Sequence, residues 1–250
     1  MTKISRGALV ACAALVLPLA ACQKQDDAFG QKVRAYLLEH PEVIEEAVVK
    51  LQQNKQVAAQ EAAKASLGKY RQQLERDPRD FVANPDGKIT VVEFFDYRCG
   101  YCKVSAPEVT KLIKENPDIR FVFKEFPIFG AESNVAAEVA LSPAGKPKNL
   151  ELFERFMAEK SLDEAAIDRH LRAVGVDPAA ARAGGATPEV RQHISDTRAL
   201  AQALAIEGTP AFIVGAGNHP VADMAALRAA IAEARTGPIK TPGSPKLDKG

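Results

Sequence analysis

Residues Lys88 to Lys103 read KITVVEFFDYRCGYCK. From Lys88 to Tyr97 the run is rich in β-branched and aromatic side chains, the composition of a buried strand. Cys99-Gly100-Tyr101-Cys102 follows at once and opens a segment read as a helix to about Glu115. The cysteine pair therefore stands at a strand-to-helix junction. The first N–H groups of a helix have no partner inside it, and the helix dipole places partial positive charge there. A thiolate at that position is favoured over its thiol. Its pKa falls, it is the reactive anion at neutral pH, and it leaves more readily. Cys99 is thus the candidate nucleophile. Cys102 is close enough to attack a mixed disulfide on Cys99 and is the resolving thiol. Arg98 and Lys103 are expected to add to the positive field.

Other chemistries use the same spacing. Half a zinc site needs further ligands, and His40, His170, His193 and His219 form no ligand pattern. Covalent haem attachment needs a histidine after the second cysteine, where Lys103 stands. An inert structural disulfide is poorly served by a helix start, which activates sulfur. The redox reading is preferred.

The turn Asn84-Pro85-Asp86-Gly87 precedes the strand, and Ile119 to Phe126 (IRFVFKEF) reads as a second strand. Strand, helix and strand at this spacing imply parallel pairing through a right-handed crossover. From Gly130 to Ile206 the pattern is helical, punctuated by Pro143, Pro147, Gly175 and Gly184-Gly185. Ser161 to Glu164 has the form of a capping box. Ala211 to Val214 reads as a short strand, and Pro220 and Val221 begin a return strand. Asp223 is placed to cap a last helix to Arg235, and a Pro-, Gly- and Lys-rich tail, 236–250, is expected to be disordered.

At the other end, Lys3 and Arg6 precede an apolar run from Ala8 to Ala21, too short to span a bilayer, with polar residues after it. This reads as a secretory signal, residues 1–21. Leu19-Ala20-Ala21-Cys22 resembles the lipobox of bacterial lipoproteins, which implies acylation of Cys22 and a lipid anchor on the periplasmic side of the cell envelope. Of four cysteines, Cys12 leaves with the signal and Cys22 is taken by lipid, so the folded part keeps Cys99 and Cys102. Residues 22–83 form a helical leader, broken near Pro41. Ile44, Val48, Leu51, Ala58, Ala62 and Ala65 mark one helical face, read as an association element in preference to a plain helical spacer. A chain lacking residues 23–75 is expected to be a monomer that still reduces model disulfides.

Without Lys3 and Arg6 the balance is 31 basic to 32 acidic residues, which gives no electrostatic reason to expect nucleic acid. The hydrophobic share of 46% suffices for a sizeable core.

Glu93 to Lys103 (EFFDYRCGYCK) resembles the active-site segment of the bacterial disulfide oxidoreductases of the DsbA/DsbC group. Pro107 matches the kinking proline of their active-site helix, and Gly208-Thr209-Pro210 the loop with a cis-proline beside the disulfide. The resemblance implies an α/β thioredoxin fold over 84–235, with an inserted helical domain at about 130–206, preceded by the helical leader. It implies that Thr209, Pro210, Gly100 and Tyr101 meet the substrate, and that Glu93 is a buried acid exchanging a proton with Cys102. Phe29 to Tyr70, especially Val33 to Gln52 (VRAYLLEHPEVIEEAVVKLQ), is similar to the N-terminal helical region of suppressor-of-copper-sensitivity protein C (ScsC) and its relatives, some of which oligomerise through it. Gly100-Tyr101 with Thr209 resembles the DsbC isomerase pattern more than the Pro-His and Val-Pro pattern of DsbA.

The expectation is a homo-oligomer, trimer before dimer, that exchanges disulfides with cysteine-containing client proteins and is reset by a membrane redox partner. It needs no organic cofactor and no metal. The alternatives are a DsbA-like dithiol oxidase and a copper(I)-binding envelope protein using the same pair.

Overall fold

The computed structural model describes residues 19–215 and 220–236. Residues 1–18, most of the expected signal, lie outside them, as do His219 and residues 237–250 of the tail. The chain divides into two compact units, Met1–Ala58 and Ala59–Gly250.

The described residues of the first unit are helical. α1 runs Leu19–Glu39, so the lipobox-like residues form its start. α2 begins at Glu42 and runs to Glu75. The break falls at His40-Pro41, because a residue before proline is pushed out of helical conformation. Tyr36 packs its ring 4.6 Å from that of His40, and His40 Nδ1 lies 3.1 Å from Glu42 Oε1 across the break. Phe29, Val33, Tyr36, Ile44, Val48 and Leu51 are all exposed. No helix among the described residues is long and apolar enough to cross a membrane.

The second unit is built on a four-stranded sheet in the order β1-β3-β2-β4. These are β1 (Phe81–Ala83), β2 (Ile89–Phe95), β3 (Ile119–Glu125) and β4 (Ala211–Val214). β2 and β3 are parallel, joined by α3 (Gly100–Glu115), and the outer strands are antiparallel. Val221 bridges back to Phe212 as the short return strand. The sheet starts earlier than the turn at Asn84 suggests. Phe81–Ala83, assigned to the leader by the sequence, pairs with Phe121–Phe123 as an edge strand. The turn itself forms, with Gly87 N–H donating to Asn84 O at 2.9 Å. Gly87 is required there, since a Cβ would meet Arg120 N at 2.3 Å.

Alternation in the strands sends side chains to two cores. One face carries Val91, Phe95, Phe121 and Phe123 toward α3 and Phe153. Phe95 makes T-shaped contacts with Tyr97, Phe123 and Phe153 at 5.0, 5.8 and 5.3 Å. Each such buried ring contributes about 2 kcal/mol. The insert between β3 and β4 supplies α4 (Ala131–Leu141), α5 (Asn149–Ala158), α6 (Glu164–Ala173), α7 (Pro178–Gly185) and α8 (Pro188–Ala203). α6 is capped by Asp163, whose carboxylate accepts from Ala166 N at 2.8 Å, and not by the Ser161 of the expected capping box. Asp223 does cap α9 (Met224–Thr236), accepting from Ala226 N at 2.8 Å.

The other face carries Val92, Phe94, Val122 and Ile213 against Leu67 and Leu74 of α2 and Leu200 and Leu204 near the end of α8. The end of α2 is also fastened by charge. Lys124 Nζ, buried in β3, donates to Gln73 O at 2.5 Å and pairs with buried Asp80 at 2.5 Å. Arg120 donates to Glu75 O at 2.7 Å. Helix-end carbonyls lack internal partners, and these cations satisfy them. The last turns of α2 therefore belong to the domain core. A chain beginning after residue 75 lacks two core leucines and both of these acceptors.

Candidate active site

β2, an interior strand, delivers the reactive pair just beyond its C-terminal end. Cys99 is the N-cap of α3, extended at φ −69°, ψ 122°, and its sulfur accepts from Cys102 N–H at 3.4 Å. The Thr209–Pro210 peptide is cis, and the Cys99 thiol donates to the Thr209 carbonyl at 3.2 Å. Both cysteines are buried free thiols. Pro107 lies inside α3.

The two sulfurs are driven apart electrostatically. Cys99 is brought down to about 5, chiefly by its hydrogen bond with the Cys102 side chain. Burial opposes this, while Thr209 and the N–H groups of Cys102 and Tyr101 add to it. The Thr209 hydroxyl is buried with no hydrogen-bond partner among the described residues, so it is free to donate to a thiolate. Cys102 is pushed far up by burial, with its hydrogen bond to Cys99 and the charge of Glu93 acting the same way. Cys99 is therefore the anion at neutral pH and Cys102 holds its proton.

Glu93 is fully buried in β2, opposite Phe123 on one side and Phe212 on the other. Neither carboxyl oxygen has a hydrogen-bond partner among the described residues. Burial, then the negative charge on Cys99, raises its pKa well above the usual carboxylate range. Gly100 and Tyr101 sit on the exposed side, with Tyr101 80% accessible. Cys99, Cys102, Glu93, Thr209, Pro210, Gly100 and Tyr101 thus lie around one site. Cys22 lies in α1, within the other unit. No group of three metal-ligating side chains forms among the described residues.

The expected positive field of Arg98 and Lys103 is not built. Arg98 turns to Glu132 at 2.6 Å and Phe129 O at 2.9 Å. Lys103 Nζ donates to the carbonyls of Phe156 and Glu159 at the end of α5. Neither is among the causes of the low Cys99 pKa, which arises from hydrogen bonds. Sequence reasoning also missed Asp96. Its buried carboxylate accepts from Arg98 N, Ile128 N, Phe129 N and Ser133 Oγ. An aspartate between a strand and a helix cap is the signal that could have found it.

The model of the DSBA-like thioredoxin domain matches residues 90–146 and 137–232, the stretch that carries this site. The chain belongs to the DSBA-like thioredoxin family. The model of the copper resistance protein ScsC N-terminal domain matches residues 25–58, so this family member carries an ScsC-type helical leader. A thioredoxin-like oxidoreductase from Silicibacter pomeroyi DSS-3 is 36% identical, with a TM-score of 0.62, over 67% of this chain and 98% of that one. BcfH of Salmonella enterica Typhimurium is 32% identical, with a TM-score of 0.65, over 86% and 98%. Proteus mirabilis ScsC in a transitional conformation is 27% identical, with a TM-score of 0.61, over 86% and 97%. Among curated relatives the chain spans about a quarter of the length of the Na(+)/H(+) antiporter NhaA 3 of Salinispora tropica, at 28% identity over 173 residues. It spans 64% of the thiol:disulfide interchange protein DsbA of Bordetella pertussis, at 31% identity over 135 residues.

Proposed function

We propose that this protein exchanges disulfides with cysteine-containing client proteins on the periplasmic side of the cell envelope. The observation that carries this is the division of labour at the CGYC pair: a Cys99 thiolate held near pKa 5 beside a Cys102 that keeps its proton. The Cys99 thiolate attacks one sulfur of a client disulfide, and the other client sulfur leaves as a thiolate. If a client thiolate then attacks the mixed disulfide, Cys99 is released unchanged and the client is reshuffled. If Cys102 attacks instead, its proton passes to the Glu93 carboxylate, the client leaves as a dithiol, and a Cys99–Cys102 disulfide remains. A dithiol partner in the membrane must then reduce it.

Isomerase and reductase work is the favoured direction, on the resemblance of Gly100-Tyr101 and Thr209 to the isomerase pattern. The exposed apolar side chains of the leader, including Val33, Tyr36, Ile44, Val48 and Leu51, support assembly into a homo-oligomer. Acylation of Cys22 supplies the proposed anchor, and mass spectrometry of the mature N-terminus tests it. One observation favours an oxidase instead: a stabilised thiolate stabilises the reduced dithiol and makes the disulfide more oxidising, and about 5 lies between thioredoxin (~7) and DsbA (~3.5). Light scattering paired with recovery of a scrambled multi-disulfide substrate separates the two. An oligomer that reactivates scrambled substrate in its reduced form supports the isomerase. A monomer that rapidly oxidises reduced substrate and reactivates none overturns it in favour of the oxidase.

A further inference from the structure

Because β2 and β3 are parallel, the loops that follow them emerge at the same edge of the sheet. The first loop leads to Cys99. The second, Pro127–Gly130, is fastened to the first by one buried carboxylate. Asp96 Oδ2 accepts from Ile128 N at 2.6 Å and Phe129 N at 3.0 Å. Its Oδ1 accepts from Arg98 N at 2.7 Å and Ser133 Oγ at 2.8 Å. Arg98 closes the loop from the other side, donating to Phe129 O at 2.9 Å and pairing with Glu132 at 2.6 Å. The backbone of Phe129 is therefore held at both its N–H and its C=O by the two residues that lead to the reactive sulfur. Yet the side chains of Ile128 and Phe129 remain 40% and 48% exposed. Val104, one turn along α3 from Tyr101, is exposed with them. A buried carboxylate with four donors is a costly way to fix a loop that leaves its large apolar side chains in water.

We propose that Asp96 is a positioning residue that holds Ile128 and Phe129 as a rigid apolar contact for the client residues flanking the cysteine bonded to Cys99. This rests on the exchange reaction proposed above. In the mixed disulfide the client is tethered at Cys99, at the end of the strands where Asp96 and Arg98 hold the Pro127–Gly130 loop, so the client residues next to its cysteine are the ones presented to that loop. A contact ordered before binding loses little entropy when the client arrives, so the apolar burial appears as affinity. Exchange is then selective for cysteines with an apolar neighbour.

The test uses the full-length reduced protein and two peptides of equal length. Each carries one cysteine as its mixed disulfide with glutathione, flanked by Leu in one and Ser in the other. In single turnovers of the reduced protein, wild type is expected to favour the Leu peptide by about tenfold in the second-order rate constant, the scale of one apolar contact, with the difference in the half-saturating peptide concentration. Ile128→Ser with Phe129→Ser should bring the ratio to about one. Asp96→Ala should lower the ratio too, and should change it no further in the double-serine background, because it acts through those side chains. Should Asp96→Ala not fold, Asp96→Asn takes its place. A ratio that survives the double-serine change overturns the contact, and a ratio that Asp96 variants leave at the wild-type value overturns the positioning role. Equal rates on both peptides overturn the contact together with its selectivity, whereas reduction of neither overturns the exchange reaction itself.

Discussion

The thiol of Cys99 donates to the carbonyl of Thr209 at 3.2 Å, across 110 positions of sequence. That contact joins the start of α3 to the loop before β4 and puts the buried Thr209 hydroxyl beside the sulfur. A thiolate cannot donate to a carbonyl, so on ionisation the hydroxyl becomes the useful group. Thr209→Val keeps the shape and the carbonyl and removes that donor. The Cys99 midpoint is expected to rise from about 5 by roughly one unit, the scale of one charge-assisted hydrogen bond. Thiolate absorbance against pH measures it, and an unchanged midpoint assigns the stabilisation to α3 alone.

The depressed Cys99 pKa also fixes how redox state affects stability. A group whose folded pKa lies below its unfolded value contributes stability that is full above the unfolded pKa, about 8.5, and is lost as pH falls through the folded one. Here the folded value is about 5. The advantage of the reduced protein over the oxidised should shrink as pH falls from about 8.5 toward 5 and level off below. Denaturant unfolding of both forms across this window checks it, and Cys99→Ser, which has no disulfide form, is the control whose stability should lack this pH slope.

Glu93 has the opposite sign. Its folded pKa is raised by burial, so ionising it costs stability progressively as pH rises above the unfolded value of about 4.3. Glu93→Gln should therefore gain stability relative to wild type as pH rises. It should also slow the Cys102 step about a hundredfold, the scale of a lost proton acceptor, so that mixed disulfides on Cys99 accumulate. Rapid alkali-quench trapping separates this from a loss of Cys99 reactivity. A variant that resolves mixed disulfides at the wild-type rate removes Glu93 from the mechanism.

The leader can be shortened only so far. Leu67 and Leu74 are buried in the second core, and Arg120 and Lys124 use the carbonyls of Glu75 and Gln73. A chain beginning at residue 59 should unfold at a temperature close to that of the full-length protein. One beginning at residue 76 should lose several kcal/mol, since each buried leucine removed costs about 2–5 kcal/mol. Calorimetry of the two chains decides it, and equal stability would show that the end of α2 is dispensable.

The site was legible in sequence wherever its chemistry is local. Strand, N-cap and CGYC are contiguous, so the place of Cys99 on the helix dipole could be read directly from Lys88–Lys103. Thr209-Pro210 and Glu93 came from family resemblance, because nothing local shows that residue 209 will meet residue 99. What escaped is what only tertiary packing decides. Phe81–Ala83 has three residues, too few for a period-two pattern, and is a strand only because β3 offers it an edge. Lys124 looks like an interruption in IRFVFKEF until Asp80 and Gln73 O are seen around it. Arg98 and Lys103 flank the pair in sequence, but their long side chains reach the loop at Phe129, Glu132 of α4 and the end of α5.

The most direct test is the pH dependence of the alkylation rate of Cys99 in the reduced protein, with Cys102→Ala to assign the sulfur. The Cys102 side chain is the first cause of the low pKa, so the wild-type curve carries the number and the variant should lie above it. The account predicts a wild-type midpoint near 5. A midpoint at or above the free-cysteine value of about 8.5 would contradict it, because Cys99 would then be no more reactive than an ordinary thiol.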